Sequence, residues 1–264
     1  MMQPADGRVS DQSDFWRENL TRGHSGQKLG HKLMRLLPGP PRCKVCYNPF
    51  GGIGGRICRT FGLVPSKKNP RICALCCEHM PRGGAEIETA ILFADVRGST
   101  ELAERLGPSG FAEALNRFYG AATEVLIRRE ATVDKLIGDE VMAFFVPGFA
   151  GPEFKRVAVE AGQDLLRAVG YGTKRGPWIP VGIGIDAGTA FVGNVGGEEY
   201  VDFTALGDPV NTAARIRSAA GAGELLVGET AFEAVADRYP AAAPRSLDVK
   251  GKARPVAVHS VPLD

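Results

Sequence analysis

Two pairs of cysteines with the spacing of metal ligands lie in the first third of the chain. Cys43 and Cys46 form one pair, and Cys73 and Cys76 form a second pair after 26 intervening residues. Two thiolates on one tight turn can point at the same ion, so the two pairs together offer four thiolates to a tetrahedral zinc ion. A small, glycine-rich segment needs such a link to fold, and we therefore predict a structural Zn2+ site.

Other soft ligands of this segment keep further chemistry open. Cys58, Cys77 and His79 lie close to the two pairs in sequence, so an iron–sulfur centre or a thiol redox switch remains an alternative to zinc. The glycine run at 51–55 is not followed by a Gly-Lys-Ser/Thr sequence, and we interpret it as a flexible connector rather than a phosphate-binding loop. Basic residues around the cysteines leave a nucleic-acid surface as a further hypothesis.

A carboxylate ends the first apolar stretch of the later sequence. Residues 88–95 have the pattern of a buried strand that ends in Asp95, and Gly98, Ser99 and Thr100 then lead into a helix. A glycine turn before a helix N-terminus is typical of a phosphate site, because free amide groups and the helix dipole both favour an anion. A carboxylate beside phosphates indicates a hard cation, and its oxygen ligands suit Mg2+ or Mn2+.

A second carboxylate lies in a predicted β-hairpin. Residues 132–145 contain two apolar stretches that meet at Gly138 and Asp139, which is typical of two strands joined by a tight turn. Asp139 either favours the turn alone or joins Asp95 as the second carboxylate of a metal pair.

Two polar residues share one face of a later predicted helix. Asp208 is expected to be the N-cap of this helix and Pro209 its first residue. Asn211 and Arg215 are four residues apart, so their side chains lie on the same face. That face either contacts a ligand or is an ordinary solvated surface.

Composition divides the chain into segments. Residues 1–84 hold 14 Lys and Arg against 5 Asp and Glu, whereas residues 85–264 hold 18 against 25, and all six cysteines precede residue 78. We predict a basic, partly disordered segment with room for a short helix over 1–42, a Cys-rich zinc-binding-like module over 43–80, and one large domain over 85–264.

The overall composition excludes several classes of protein. With 44% hydrophobic and 23% charged residues, the chain is neither wholly disordered nor collagen-like. No apolar run approaches the ~18 residues of a membrane-spanning helix, and the N-terminus lacks the order of a signal peptide, so we expect a cytoplasmic protein. The basic stretch 15–37 is interpreted as a docking helix or solvated tail, and contact with nucleic acid or a membrane surface is the less favoured alternative.

The ordered set of motifs resembles the catalytic domain of the class III adenylate/guanylate cyclases. The resemblance covers residues 88–262, from the Phe-Ala-Asp-Val-Arg-Gly-Ser-Thr strand to the Val-Lys-Gly-Lys sequence at 249–252. It implies an α/β (α+β) fold, namely a ferredoxin-like class III nucleotide cyclase domain preceded by a small Cys-rich metal-binding module. It also implies a homodimer, in which two such domains pair head to tail with the active sites at their interface.

The resemblance implies roles for the metal-binding and purine-binding residues. Asp95 and Asp139 match the two metal-binding aspartates of the family, so two Mg2+ or Mn2+ ions are expected in each active site. Lys135 and Thr204 match the pair that reads the purine, in the combination that resembles the bacterial adenylate-type subclass.

The resemblance also implies which residues act on the ribose and the phosphates. Asn211 and Arg215 match the residues that orient the ribose and stabilise the transition state. One of Lys250 and Lys252 is expected to reach the terminal phosphates, beside the glycine turn at 98–100.

These roles predict an adenylate cyclase that converts ATP to 3′,5′-cyclic AMP and pyrophosphate for intracellular signalling. Two metals would lower the proton affinity of the attacking hydroxyl and neutralise the triphosphate. The hydroxyl of Thr204 can donate or accept, so a guanylate or other nucleotide cyclase is an alternative. A third hypothesis is a non-catalytic nucleotide-binding signalling module with a zinc- or nucleic-acid-binding N-terminus.

Overall fold

The computed structural model describes residues 7–22, 30, 33–34, 36–66, 70–78, 82–248 and 255–263. The chain divides into two compact units. The first comprises Met1–Ile87, Pro147–Phe149 and Phe191–Leu206, and the second comprises Glu88–Val146, Ala150–Ala190 and Gly207–Asp264. The predicted division into 1–42, 43–80 and 85–264 remains a prediction.

Eight strands of the described residues form a mixed β-sheet. They are β1 Gly83–Val96, β2 Thr132–Ile137, β3 Glu140–Phe145, β4 Val181–Gly196, β5 Val201–Leu206, β6 Leu225–Gly228, β7 Pro244–Leu247 and β8 Val256–Val261. Their order is β2-β3-β1-β4-β6-β8-β7, and β5 pairs antiparallel with the last residues of β4. β4 and β6 are parallel, while β3 is antiparallel to both β1 and β2.

Helices complete the α+β architecture that the sequence predicted. They are α1 Gly7–Thr21, α2 Gly52–Thr60, α3 Ala74–Glu78, α4 Ser99–Arg128, α5 Pro147–Ala150, α6 Phe154–Ala168, α7 Asp208–Ala219 and α8 Glu229–Phe232. Among the residues that the structure describes, no helix combines the length and the apolar character needed to cross a membrane.

The core of the second unit lies between the sheet and helices α4 and α6. Leu92, Phe118, Phe145 and Leu165 are fully buried there, because the apolar faces of both helices cover the strands. Helix α4 contains one non-helical residue, Gly107, so it consists of two helical segments that meet at a kink.

Two sequence predictions for the second unit can be compared with the structure. The hairpin is confirmed, since β2 and β3 flank Gly138 and Asp139. The predicted start of α7 is wrong by one residue, because Gly207 is the N-cap and Asp208 is the first helical residue. Strand β5 ends at Leu206, so one residue must redirect the chain between strand and helix, and the glycine does this.

The first unit contains the cysteines, helices α1–α3 and the hairpin formed by β5 and the end of β4. Trp16 of α1 is buried and stacks on Phe203 of β5, with ring centroids 5.9 Å apart. The interpretation of residues 51–55 as a flexible connector is wrong, because helix α2 begins at Gly52. A Cβ on Gly54 would lie 2.3 Å from the carbonyl oxygen of Pro38, so this glycine serves close packing.

Candidate active site and four-cysteine cluster

Three carboxylates meet where β1 ends beside the β2–β3 hairpin, and we call Asp95, Asp139 and Glu140 the carboxylate cluster. Asp95 of β1 pairs with Glu140 of β3 across the sheet. The backbone N–H of Val96 donates to the carbonyl oxygen of Asp139 at 3.2 Å, which fixes the hairpin turn beside the end of β1. The structure therefore brings Asp95 and Asp139 together, as the metal-pair hypothesis requires, and adds Glu140.

Two arginines form ion pairs with Asp95 and Glu140 of the carboxylate cluster. Arg217 of α7 donates from Nη1 to Asp95 Oδ2 at 2.6 Å and from Nη2 to Glu140 Oε2. Arg97 donates from Nη2 to the same Asp95 oxygen. Both arginines are largely buried, with side chains about one-fifth exposed, so these ion pairs are well shielded from water.

The electrostatics of the cluster still disfavour its negative charge. Burial raises the pKa of Asp95 above its ordinary value, and repulsion from Asp139 adds to this, against the opposing effects of Arg97 and Arg217. Burial likewise raises the pKa of Glu140, against Arg217 and with further repulsion from Asp95 and Asp139. For both Asp95 and Glu140, burial outweighs the attraction of the arginines.

The cluster fits a divalent cation. Asp95 Oδ1 is buried and has no hydrogen-bond partner among the described residues. A buried carboxylate oxygen without a donor is costly, and a cation removes that cost. The oxygens of Asp95, Asp139 and Glu140 are the hard ligands that Mg2+ and Mn2+ prefer.

The arginine of α7 reaches the cluster because the helix lies directly on β4. A Cβ on Gly184 would lie 2.1 Å from the backbone nitrogen of Arg217 and 2.7 Å from the carbonyl oxygen of Ala213. No other residue type permits this approach without moving the helix. Glycines within an apolar strand, such as the Gly-Ile-Gly sequence at 182–184, predict a close backbone approach of this kind, and the structure confirms it.

Asn211 and Arg215 lie on a different flank of α7 from Arg217. The buried face of this helix includes Thr212, Ala213 and Ile216. At about 100° per residue, Arg215 and Arg217 project to opposite sides of that face. Asn211 is exposed and shares the flank of Arg215.

The other predicted nucleotide-binding residues lie on several elements. Lys135 is on β2 in the second unit, and Thr204 is a buried residue of β5 in the first. Gly98 precedes α4, and Ser99 and Thr100 are the first two residues of that helix, as the strand–turn–helix pattern predicted. Lys250 and Lys252 lie outside the described residues.

The second candidate site is formed by Cys43, Cys46, Cys73 and Cys76, which we call the cysteine cluster. Their four sulfur atoms all lie within 4.8 Å of one another. The sulfurs of Cys46 and Cys73 are 3.6 Å apart, close to the separation of about 3.8 Å that a tetrahedral ion with 2.3 Å zinc–sulfur bonds requires. The backbone N–H groups of Cys46 and Cys73 both donate to the sulfur of Cys43.

The thiols of the cysteine cluster perturb one another strongly. Burial raises the pKa of Cys43, but hydrogen bonds from Cys46, Cys73 and Cys76 outweigh burial and lower it well below its ordinary value. The hydrogen bond with Cys43 raises the pKa of Cys76. Four sulfurs at this separation cannot all be thiolates without a cation between them, and they therefore fit a soft metal ion.

Cys58, one of the other soft ligands near the two cysteine pairs in sequence, is directed away from the cysteine cluster. Its sulfur lies 3.9 Å from the sulfur of Met34, and burial raises its pKa. The side chain of Cys77 and all of His79 lie outside the described residues.

The family match covers the region that contains the carboxylate cluster. Residues 85–260 match the family described as Adenylate and Guanylate cyclase catalytic domain. Because the match spans more than half of the chain, the chain belongs to this family of class III nucleotide cyclases. The cysteine cluster precedes the matched residues.

Curated relatives share part of this region. An uncharacterised protein of Mycobacterium tuberculosis is 32% identical over 186 residues, which are 68% of this chain and 33% of that protein. An adenylate cyclase of Anabaena cylindrica is 32% identical over 159 residues, 58% of this chain and 32% of that protein. The matched region is thus about a third of the length of these relatives.

Solved structures have the same fold. The adenylyl cyclase CyaB from P. aeruginosa is 30% identical with a TM-score of 0.58, over 67% of this chain and 94% of that one. A guanylyl cyclase is 29% identical with a TM-score of 0.59, over 67% and 93%. The two similarities are almost equal, so they do not distinguish an adenylate from a guanylate cyclase.

Sequence reasoning missed Arg97, Glu140 and Arg217. Arg97 and Glu140 are direct neighbours of residues that were singled out, and a charged residue beside a buried strand end is a usable signal. Arg217 carries no such signal, because its role arises only from the packing of α7 on Gly184.

Proposed function

We propose that the chain converts ATP to 3′,5′-cyclic AMP and pyrophosphate in an active site assembled from two copies. The observation that carries this proposal is the carboxylate cluster with its unpartnered, buried Asp95 oxygen, in a chain of the nucleotide cyclase family. The adenylate cyclase from Anabaena cylindrica and the adenylyl cyclase from P. aeruginosa support ATP as the substrate.

The reaction is an in-line displacement at the α-phosphorus. The ribose 3′-oxygen forms the new bond to phosphorus, the bond from phosphorus to the α–β bridging oxygen breaks, and pyrophosphate leaves. The 3′-hydroxyl gives its proton to solvent water in the same step. The active site must therefore lower the proton affinity of the 3′-oxygen and stabilise the charge that moves toward pyrophosphate.

Asp95 and Asp139 are the proposed ligands of two Mg2+ or Mn2+ ions, with Glu140 beside them. Bound there, the ions would favour the deprotonated hydroxyl and neutralise the triphosphate. Arg97 and Arg217 hold Asp95 through Oδ2, which leaves Oδ1 for a cation. The arginines thus orient the carboxylate and offset its burial while the second oxygen stays available.

Arg215 and Asn211 are proposed to act on the nucleotide held by the carboxylate cluster of the partner copy. Arg217 occupies the flank of α7 that faces the cluster of its own chain, and Arg215 projects to the opposite flank. A guanidinium there can neutralise charge on the α-phosphoryl group, and an amide can orient the ribose. This geometry supports a homodimer with shared active sites.

Purine recognition is proposed for Lys135 and Thr204, from the family resemblance. A lysine can donate to a ring nitrogen, and a threonine hydroxyl can accept from the exocyclic amine of adenine. The similar guanylyl cyclase makes GTP the second candidate substrate, because the same hydroxyl can donate to the carbonyl of guanine.

The phosphate groups are proposed to lie near the start of α4. The N-terminal amides of this helix, at Gly98, Ser99 and Thr100, are suited to an anion. Lys250 or Lys252 is the proposed partner of the terminal phosphates.

The cysteine cluster is proposed to hold one structural Zn2+ ion. The sulfur separations support a tetrahedral four-thiolate site, and the spare thiol of Cys58 points away from it. A four-thiolate metal site and a nucleotide substrate agree with a cytoplasmic location, which we include in the proposal.

The test is a direct assay of the purified full chain. ATP, GTP, CTP and UTP are incubated separately with Mn2+, and cyclic nucleotides are measured by mass spectrometry. We expect cyclic AMP as the main product, its loss in Asp139→Ala, and its retention in Asp237→Ala, which removes an exposed carboxylate of the same unit.

Other outcomes of the assay would replace the proposal. Cyclic GMP as the main product would change the substrate and keep the reaction. No product from any nucleotide, in a protein that is dimeric and binds Mn2+, would contradict the cyclase proposal and favour a non-catalytic nucleotide-binding module.

A further inference from the structure

A shielded ion pair joins the cysteine cluster to strand β5. Lys44 lies inside the first cysteine pair, and its Nζ donates to Asp202 Oδ1 at 2.7 Å. The two side chains are only 6% and 17% exposed. The backbone N–H of Lys44 also donates to the carbonyl oxygen of Arg71 at 2.9 Å, so Lys44 ties the two halves of the cysteine segment together.

A second contact links the other cysteine pair to the same hairpin. Asn194 of β4 donates from Nδ2 to the carbonyl oxygen of Cys76 at 3.5 Å, and it is buried. Asn194 pairs with Phe203 across the hairpin, and its neighbour Val195 pairs with Asp202. Both cysteine pairs therefore contact one short stretch of the β4–β5 hairpin.

The anchored stretch of β5 directly precedes Thr204. Asp202 and Thr204 are two residues apart, and because side chains alternate along a strand they project from the same face. Phe203, on the other face, stacks on Trp16. The register of β5 is set by its pairing with β4, and holding Asp202 further fixes the strand on the face that carries Thr204.

A metal ion in the cysteine cluster would stabilise this arrangement. The ion would fix the backbone on both sides of Lys44, because Cys43 and Cys46 are its ligands. Without the ion, hydrogen bonds such as that from Lys44 N–H to Arg71 still link the two cysteine pairs, but Lys44 would lose part of its fixed position. A buried ion pair depends strongly on the geometry of both partners, so Asp202 would be held less firmly.

We propose that metal occupancy of the cysteine cluster controls the position of Thr204 through the Lys44–Asp202 ion pair. The metal site is thereby a regulatory element of the cyclase, and Lys44 and Asp202 are positioning residues. The assignments of Thr204 to the nucleotide and of zinc to the cysteine cluster rest on the proposed function, whereas the link between the cysteine cluster and β5 rests on the contacts of Lys44 and Asn194.

The first experiment measures β5 directly in the full chain. Metal content is determined by elemental analysis, and amide hydrogen exchange is followed in residues 201–206 before and after removal of zinc with a chelator. We expect one zinc per chain and exchange in 201–206 that becomes about tenfold faster after chelation. Re-addition of Zn2+ should restore the slow exchange.

Two matched variants distinguish the effect of the Lys44–Asp202 ion pair on exchange from the effect of losing the metal. Asp202→Asn removes the partner of Lys44 without touching a metal ligand, and Glu198→Gln removes an equal charge from an exposed ion pair in the turn of the same hairpin. Asp202→Asn should keep its zinc but show the faster exchange, whereas Glu198→Gln should match the unmodified chain. In Asp202→Asn, chelation should add little further change.

The outcomes distinguish this inference from the proposed function. No metal in the purified chain, or exchange in 201–206 that is unchanged by both chelation and Asp202→Asn, would overturn the inference even if cyclic AMP is produced. Absence of cyclase activity with zinc-dependent exchange would keep the coupling and reject the cyclase. If both hold, Asp202→Asn should raise the KM for the nucleotide about tenfold more than it changes kcat.

Discussion

The cysteine cluster and the carboxylate cluster gather their ligands in opposite ways. The four cysteines come from two short turns, and each turn supplies a pair three residues apart. The carboxylates come from the end of β1 and from the β2–β3 hairpin, and an arginine of α7 completes their surroundings. Local spacing therefore specifies the first cluster, whereas the fold of the second unit specifies the other.

The two clusters also balance their charge differently. In the cysteine cluster, hydrogen bonds from the other thiols lower the pKa of Cys43, and an ion that binds there would replace thiol protons. In the carboxylate cluster Arg97 and Arg217 already offset part of the negative charge. This difference agrees with the proposed Zn2+ ion at the cysteines and with the proposed Mg2+ or Mn2+ ions at the carboxylates.

The largest expected effect is on product formation, which should depend on the carboxylate cluster and far less on the cysteine cluster. Asp139→Ala should lower product formation by at least about a thousandfold, because it removes a proposed ligand of the catalytic ions. Cys43→Ser should lose its bound zinc and keep most of kcat at saturating nucleotide. Initial rates and elemental analysis of both variants measure this, and a Cys43→Ser variant as inactive as Asp139→Ala would contradict the separation.

The next effect concerns the flank of α7 that faces away from the carboxylate cluster. Arg215→Ala should lower kcat by about 100- to 1000-fold, with KM within about threefold of its original value, because the proposed contact forms in the transition state. Steady-state kinetics with ATP measure both constants. A raised KM with unchanged kcat would instead make Arg215 a ground-state binding residue.

A smaller effect tests how the arginines and the metals share the same carboxylates. Arg217→Gln should lower the free energy of unfolding of the metal-free protein by about 1–3 kcal/mol, because Asp95 and Glu140 lose a buried partner. Mn2+ should then stabilise this variant more than the unmodified chain, since the cation replaces the missing charge.

Thermal denaturation with and without Mn2+ measures the effect of Arg217→Gln. Arg215→Gln is the matched control, because it removes the same charge from the opposite flank of α7. An equal response to Mn2+ in the two variants would show that Arg217 and the cation do not share ligands.

The smallest expected effect is a pH dependence of the metal-free protein. Burial raises the pKa of Asp95 and of Glu140, so the folded state binds their protons more tightly than the unfolded chain does. Their contribution to stability is therefore fully present below their ordinary pKa values and is lost as the pH rises through the raised values. Asp95→Asn should weaken this dependence in denaturation curves, and an identical curve for the variant would contradict the assignment.

Much of both clusters could be predicted from the sequence, and the rest could not for physical reasons. The cysteines have their spacing, and Asp95 and Asp139 have a strand end and a hairpin turn as local signals. Arg217 has none, because it depends on α7 lying against Gly184 of a distant strand. The Lys44–Asp202 ion pair joins residues 158 positions apart, and no local pattern encodes it.

The fold, too, could be predicted from the sequence only where local patterns determine it. The strand that ends at Asp95, the hairpin and α7 follow from apolar patterns and turn residues, with an error of one residue at Asp208. The glycines at 51–55 suggest a connector, but their close packing at the start of α2 depends on contacts with Pro38 that local sequence does not reveal.

The most direct test of the central claim, a cyclase site shared by two copies, is to mix two inactive variants. Asp139→Ala lacks a ligand of the proposed metal site, and Arg215→Ala lacks the proposed transition-state residue. A mixed dimer then contains one doubly damaged site and one intact site, so random mixing should restore about a quarter of the original activity. No restoration, in a mixture shown to contain mixed dimers, would contradict a site built from both chains.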